Sequence, residues 1–144
     1  MPFDDRGFSA ASRPAPWLRC LRAIGSGVRA LLAPAAEPAE LAVIRVLEEA
    51  RGLIEETQDW GQGRYETLAG RRCAVGALRV ASDLLDYGKA GEQAQEILAE
   101  IARAGGFHDV ENMNDHCSHD AVLAAFDTAL AAARLRAWKA RIRA

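Results

Sequence analysis

The sequence predicts a mainly α-helical fold, organised as a single compact domain. Half of the residues are hydrophobic but only 6% are aromatic, and the apolar content comes mostly from Ala, Leu and Val, which suits closely packed helices. Apolar residues recur at three- and four-residue steps along most of the chain, whereas no run alternates as a strand does. A chain of 144 residues is long enough to bury one sizeable core. We therefore expect about five helices.

The first 36 residues are expected to form a mobile start, residues 1–13, followed by a basic amphipathic helix over residues 14–33. Prolines mark both ends of that helix. The apolar face is formed by Trp17, Leu21, Ile24 and Val28, and the opposite face by Arg19, Arg22 and Arg29. This pattern is typical of a helix that fills a groove on a partner protein or lies on a membrane surface. It is equally compatible with packing against acidic groups of the chain's own body.

The body of the domain, residues 37–144, carries the other four predicted helices. The first runs over roughly 39–58, and a loop that contains three glycines follows it. Its inward face is predicted to consist of Leu41, Ile44, Leu47, Leu53 and Ile54.

Glycines and capping residues set the remaining helix boundaries in this prediction. The second body helix begins near Cys73, turns Leu84 inward and is broken at Gly88 or Gly91. The third ends at the next glycine pair, and the fourth starts near Ser118 and continues into the basic C-terminal end of the chain.

Charge is distributed unevenly along the chain, although the net charge is only −2. Residues 1–36 hold five Arg and two Asp, residues 37–133 hold eight basic and eighteen acidic residues, and residues 134–144 hold five basic residues and no acid. The chain is therefore an acidic body with two basic ends. The near-neutral total disfavours nucleic acid as the main partner, and the short basic tail has too few aromatics for that function.

The cysteines and the apolar runs bear on the compartment. Three cysteines at wide spacing cannot form a fully paired disulfide framework, which favours a reducing compartment. No apolar run reaches the roughly 20 residues that a membrane span needs, and the N-terminus is a poor signal peptide. We expect a cytoplasmic protein. No cofactor is predicted, because the glycines near residues 61–70 lack a phosphate-loop signature.

Three short motifs occur in order: WGQG from Trp60, CAVGAL from Cys73, and the pair Asn114 and Asp115 followed by SHDAVLAAFDTAL. Together they resemble a family of short bacterial and phage proteins filed under a domain of unknown function, over about residues 41–133. The resemblance implies a compact helical domain with no established reaction. His116 and Cys117 stand where the pattern of that family has other residues, so they are peculiar to this chain.

The stretch FHDVENMNDHCSHD, residues 107–120, holds all three histidines. We interpret it as a polar loop that enters a helix. The alternative is a zinc-type metal site, because imidazole and thiolate are the ligands that zinc prefers. Its candidate ligands are His108, His116, Cys117 and His119.

Cys73 is the candidate nucleophile of an alternative catalytic site. It follows two arginines at a predicted helix start, where the helix dipole and the cations would lower a thiol pKa. His116 or His119, oriented by Asp115 or Asn114, would complete a cysteine-hydrolase arrangement. The structural alternative is a small buried Cys beside a close helix contact at Gly76.

The favoured function is a non-catalytic protein-binding or assembly component that docks another protein, or a second copy, through the helix at 14–33. A membrane surface is a further candidate partner. The rival function is a cysteine-dependent hydrolase or transferase that uses Cys73 with His116 or His119.

Overall fold

The computed structural model describes residues 38–144, and five α-helices occupy most of this range. They are α1 Ala39–Leu53, α2 Ala74–Leu85, α3 Gly88–Ala104, α4 Val110–His116 and α5 His119–Arg143. The predicted all-α fold class is confirmed. The number of helices differs, because four were expected in residues 37–144 and the described residues contain five. The predicted helix at 14–33 lies outside the described residues.

The core is built mainly from aliphatic side chains packed around Phe126 of α5. Many of the core residues are alanines with no solvent exposure, such as Ala50, Ala77, Ala94 and Ala129. Small side chains let helix axes approach closely, which agrees with the alanine-rich composition. α1 contacts α2, α3 and α5, so it forms the centre of the bundle.

α1 is shorter than predicted. It ends at Leu53 rather than near residue 58, because Ile54 leaves helical geometry at φ −123° and ψ 16°. Its buried face is centred on Val43, Val46 and Leu47, whereas the predicted inward residues Leu41, Ile44 and Leu53 are only half-buried. Of the five predicted inward residues, Leu47 and Ile54 are buried, so the predicted face is only partly correct.

The boundary between α2 and α3 differs from the prediction. α2 begins after Cys73 as expected, but it ends at Leu85, where Asp86 adopts a left-handed conformation at φ 54°. Gly88 begins α3 instead of breaking α2, and Gly91 lies inside α3. A Cβ on Gly91 would sit 2.3 Å from Ser82 Oγ, so this glycine permits close contact between the two helices. Leu84, predicted to point inward, is 66% exposed.

A seven-residue helix, α4, replaces part of the loop predicted over residues 107–120. Its start is capped by Asp109, whose carboxylate accepts the Asn112 N–H at 2.7 Å. Cys117 ends α4 in an extended conformation, and Ser118 then caps α5 by accepting the Ala121 N–H. The predicted start of the last helix at Ser118 is confirmed, but the short helix before it was missed.

α5 has 25 residues and lies antiparallel to α1. The direction follows from two ion pairs, because Glu48 meets Arg134 while Arg51 meets Asp127 further toward the end of α1. Although α5 is long, neither it nor any other helix within residues 38–144 has the length and apolar character needed to cross a membrane.

Candidate functional site

The loop between α1 and α2, residues 54–73, is held against α4 by one buried side chain, Asn114. Within residues 38–144, Asn114 is the one polar residue whose exposure is 0%. Its Oδ1 accepts hydrogen bonds from Trp60 Nε1 at 2.9 Å and from the Ala74 N–H at 3.1 Å. Its Nδ2 donates to Gly61 O at 3.0 Å and to Asp115 Oδ1 at 3.2 Å. The amide is therefore fully satisfied, as a buried polar group must be.

Gln62 and Gly63 extend this network to the end of α4. Gln62 Nε2 donates to Asn114 O at 2.8 Å and to Cys117 O at 3.2 Å. It therefore satisfies carbonyl groups at the C-terminal end of α4 that would otherwise lack a hydrogen-bond donor. The Gly63 N–H donates to Asp115 Oδ1 at 2.9 Å, and its φ of 74° favours glycine. We call the set Trp60, Gly61, Gln62, Gly63, Ala74, Asn114 and Asp115 the Asn114 junction.

The loop also contacts the start of α2 so closely that only glycine fits. A Cβ on Gly76 would lie 1.8 Å from Tyr65 O, while that carbonyl accepts the Cys73 N–H at 3.3 Å. The guanidinium of Arg79 lies 4.1 Å from the centroid of the Tyr65 ring, within the range of a cation–π contact. The close contact expected at Gly76 is therefore made with the loop backbone.

An open cleft of about 510 Å³ lies beside the Asn114 junction. It is lined by Gly63, Arg64, Tyr65, Glu66, Cys73, Glu111 and Asp115. Tyr65 donates its hydroxyl hydrogen to Glu111 Oε1 at 3.3 Å, and Glu66 is paired with Arg72 at 2.7 Å. The structure thus brings Cys73 and Asp115, two of the candidate catalytic residues, to one cleft.

The Cys73 thiol is not activated as predicted. Its side chain caps α2 by accepting the Gly76 N–H at 3.4 Å, and the residue is only 4% exposed. Burial raises the pKa of the thiol, and the carboxylates of Asp115 and Glu111 raise it further, whereas backbone N–H groups act in the opposite direction. The expected lowering of this pKa by the helix start and by neighbouring arginines is therefore wrong. A raised pKa disfavours the nucleophilic thiolate.

The two candidate histidines are bonded elsewhere. His119 Nε2 donates to Ile54 O at 2.6 Å, and its ring lies 5.3 Å from the Trp60 ring, centroid to centroid. His116 Nδ1 lies 2.8 Å from Asn112 O within α4. Among the described residues, the charged groups that act on the Cys73 thiol are carboxylates and include no histidine. Neither His116 nor His119 is among the residues that line the cleft beside Cys73.

The alternative metal site is not assembled in the described part of the chain. His108 pairs with its neighbour Asp109 at 2.8 Å on the surface, His116 bonds within α4 and His119 bonds to the end of α1. Across residues 38–144, no group of three or more His, Cys, Asp or Glu side chains is arranged to hold a metal ion. Cys117 is a free, half-buried thiol, like the free but buried Cys73.

The C-terminal end of α5 carries exposed apolar side chains between cations. Leu135, Trp138 and Ile142 are each at least half exposed. Two neighbouring cations pair with the acidic body, Arg134 with Glu48 at 2.9 Å and Arg136 with Glu100 at 2.6 Å. The predicted basic tail is thus a continuous part of α5.

The predicted partner-binding residues of the segment 14–33 lie outside the described residues, so the structure does not test that prediction. Sequence reasoning missed the roles of Gln62 and Asn114 as hydrogen-bonding partners, although both belong to the motifs that it singled out. It also missed the exposed apolar face of α5. The three- and four-residue spacing of Leu135, Trp138 and Ile142 was the available signal.

Comparison with known proteins gives a family but no described function. The model of a family described as "Family of unknown function (DUF6197)" matches residues 38–132. No curated protein matches the chain. No solved structure matches it either. All residues of the Asn114 junction lie inside the matched range.

Proposed function

The chain belongs to the DUF6197 family of unknown function, and on that premise we propose that it is a non-catalytic protein-binding or assembly component of the cytoplasm. The docking element is the segment 14–33. Its apolar face, centred on Trp17, Leu21 and Ile24, would be buried in a groove on the partner.

The observation that carries this proposal is the two-faced pattern of the segment 14–33. Apolar residues at steps of three and four place one anchor on each turn of a helix, which is how amphipathic helices fill protein grooves. In a helix, Arg19, Arg22 and Arg29 would lie on the other face. They would steer the segment toward an acidic partner surface and speed association.

The body of the chain supports a binding role more than a catalytic one. Residues 37–144 form a compact unit, and the described part of it has a core supplied by its own helices. Its candidate nucleophile, Cys73, is buried with a raised pKa. Neither Cys73 nor Cys117 is in a disulfide, which suits the reducing cytoplasm.

The test is recovery of the partner with the full-length, affinity-tagged chain purified from its source cells. The tagged protein is compared with a Trp17→Ser/Leu21→Ser variant, and native mass spectrometry measures the amount of each bound protein. Truncation of a central aromatic anchor typically costs 2 kcal/mol or more, so recovery should fall roughly thirtyfold when the partner is present below saturation.

Two controls make the test specific. Cys73→Ser should leave recovery unchanged, because the binding proposal gives no part to the thiol. Arg19→Gln/Arg22→Gln should mainly increase the dependence of binding on salt. Equal recovery of the partner with the Trp17→Ser/Leu21→Ser variant would overturn the proposal. If the variant lost binding to lipid vesicles and not to a protein, the segment would be assigned to a membrane surface.

Thiol labelling tests the rival enzymatic function directly. Alkylation at neutral pH should modify Cys73 more slowly than the half-buried Cys117, because burial and the raised pKa both reduce the accessible thiolate. Peptide mass spectrometry over a time course gives the two rates. Faster labelling of Cys73, slowed by His116→Ala or His119→Ala, would restore the hydrolase hypothesis.

A further inference from the structure

The exposed apolar side chains near the end of α5 form a stripe on one face. Leu135, Trp138 and Ile142 are 50%, 57% and 63% exposed, and at 100° per residue they lie within about 60° of one another around the helix. The opposite face of the same turns packs Ala133 and Ala137 into the domain. This helix end therefore has an apolar face on each side, and the outer one, the α5 stripe, has no cover within the described residues.

Cations flank the α5 stripe on both sides. Helical spacing places Arg134 and Arg141 along one edge and Lys139 and Arg143 along the other. Residues 134–144 contain no acid. Two such stripes placed face to face would repel each other, so the matching surface must be apolar in the middle and acidic around it.

A groove that offers two carboxylates and one apolar side chain, together with one cation, lies on the same molecule between α1 and α2. It has a volume of about 470 Å³ and is lined by Arg45, Glu48, Glu49 and Leu85. Leu85 supplies the apolar wall, and the exposed Leu84 precedes it in the last turn of α2. We call these four lining residues the acidic groove.

The α5 stripe and the acidic groove are neighbours on the surface. Arg134 Nη2 lies 2.9 Å from Glu48 Oε1, and the two side chains are about half exposed, so the ion pair joins the basic region to the acidic one. A surface with a basic half beside an acidic half is complementary to itself after a two-fold rotation. Such self-complementarity is the requirement for an isologous dimer.

We propose that the chain forms a two-fold symmetric dimer in which the α5 stripe of each copy docks onto the acidic groove of the other. Trp138 is the central anchor, and Lys139 and Arg141 face the partner's acidic groove. Each copy contributes one α5 stripe and one acidic groove, so the interface contains two equivalent stripe–groove contacts. The surface lies outside the segment 14–33, and the dimer is therefore independent of the function proposed above.

Charge distinguishes a second copy from a lipid bilayer as the occupant. Tryptophan and leucine between cations also suit an anionic membrane surface. Glu48 and Glu49 lie immediately beside the stripe, however, and an extended anionic surface would repel them. A second copy instead presents its cations to these carboxylates.

Sedimentation velocity of the full-length chain over a broad concentration series tests the dimer. The unaltered chain should show a monomer–dimer equilibrium that weakens as salt rises. Trp138→Ser and Glu49→Lys should each raise the dissociation constant at least about tenfold. Leu68→Ser is the matched control, since Leu68 is also exposed but lies in the loop before α2, and α2 separates it from Leu85 by about 18 Å. Circular dichroism confirms that each variant is folded.

Mixing the two variants tests the reciprocal geometry. In a mixed dimer of Trp138→Ser with Glu49→Lys, one of the two contacts retains an intact stripe and an intact groove, so the mixture should associate more tightly than either variant alone. A chain that stays monomeric at every concentration would overturn the proposal. So would a dimer insensitive to Trp138→Ser, or a monomer that floats with anionic vesicles through Trp138.

Discussion

The Asn114 junction and the α5 stripe depart in opposite ways from the usual rule that apolar residues are inside and polar residues outside. At the junction a polar amide is completely buried, and each of its hydrogen-bonding atoms has a partner within the chain. At the stripe, apolar side chains are exposed and their flanking charges are of one sign. The first departure is resolved inside the molecule, so it stabilises the fold. The second has no such partner within residues 38–144, and it is the basis of the dimer proposed above.

The largest effect is expected for Asn114→Ala. The substitution leaves the Trp60 indole N–H, the Ala74 N–H and the Gly61 carbonyl without their partner. Each unpaired buried polar group costs about 1–3 kcal/mol, so we expect a loss of roughly 4 kcal/mol in the free energy of unfolding, measured in urea. Asn112→Ala, two residues earlier and half-buried, should cost less than about 1 kcal/mol. Equal losses would remove the distinction between the junction and an ordinary polar surface.

Gly76→Ala should have the next largest effect. The new Cβ would overlap Tyr65 O, so the loop backbone must move away from α2, at a cost of about 3 kcal/mol. Gly52→Ala in α1 is the control, because no heavy atom lies within 4 Å of its added Cβ. Alanine is the better helix former by about 1 kcal/mol, so that variant should be as stable as the unaltered chain or more so. Thermal unfolding of both variants measures the contrast.

The matched pair Trp60→Phe and Trp138→Phe compares the two regions with the same substitution. Trp60→Phe removes one donor to Asn114 Oδ1 but leaves the bond from the Ala74 N–H, so a loss of about 1–2 kcal/mol is expected. Trp138→Phe should change the stability of the monomer by less than about 0.5 kcal/mol. The free energy of unfolding of both variants is measured at concentrations too low for dimer formation. Equal losses for Trp60→Phe and Trp138→Phe would contradict the comparison.

Asp109 at the edge of α4 gives the smallest predicted effect. The Asn112 N–H and then His108 lower the pKa of this carboxyl from its ordinary value of 3.8. A lowered pKa means that the stabilisation is present above the ordinary value and is lost as the pH falls through the lowered one. Asp109→Ala should therefore be less stable than the unaltered chain at about pH 6, and the difference should shrink toward about pH 3. A difference independent of pH would show that the charge does not contribute.

Local patterns were sufficient to predict most of the helices. Helix starts near Cys73 and Ser118 were predicted from short sequence signals, and in the structure both residues cap helix starts. The glycine pair that follows α3 ends it as expected. These features depend on neighbours within one or two turns, which a sequence displays directly.

The sequence-based predictions were wrong where a residue contacts another residue that is distant in the sequence. Gly88 or Gly91 was predicted to break a helix, but Gly88 begins α3 and the missing side chain of Gly91 makes room for Ser82 of the neighbouring helix. α4 was missed because its polar sequence has no apolar periodicity, and its contact with the loop is made by a residue, Gly61, that is 53 positions away from Asn114. The pKa of Cys73 was predicted in the wrong direction, because burial of the thiol raises it and two carboxylates from α4, Asp115 and Glu111, add to the increase. Single-sequence reasoning has no access to such pairings.

The long separations within the Asn114 junction have a consequence for folding kinetics. Asn114 bonds to Ala74, 40 residues away, and to Trp60, 54 residues away. Helical turns form from neighbouring residues, whereas these bonds require closure of long chain segments, so we expect them to form late in folding. Interactions absent from the transition state act on the unfolding rate. Loss of the Asn114 amide should thus accelerate unfolding while leaving the refolding rate almost unchanged, which makes this small polar contact a determinant of how long the folded chain persists.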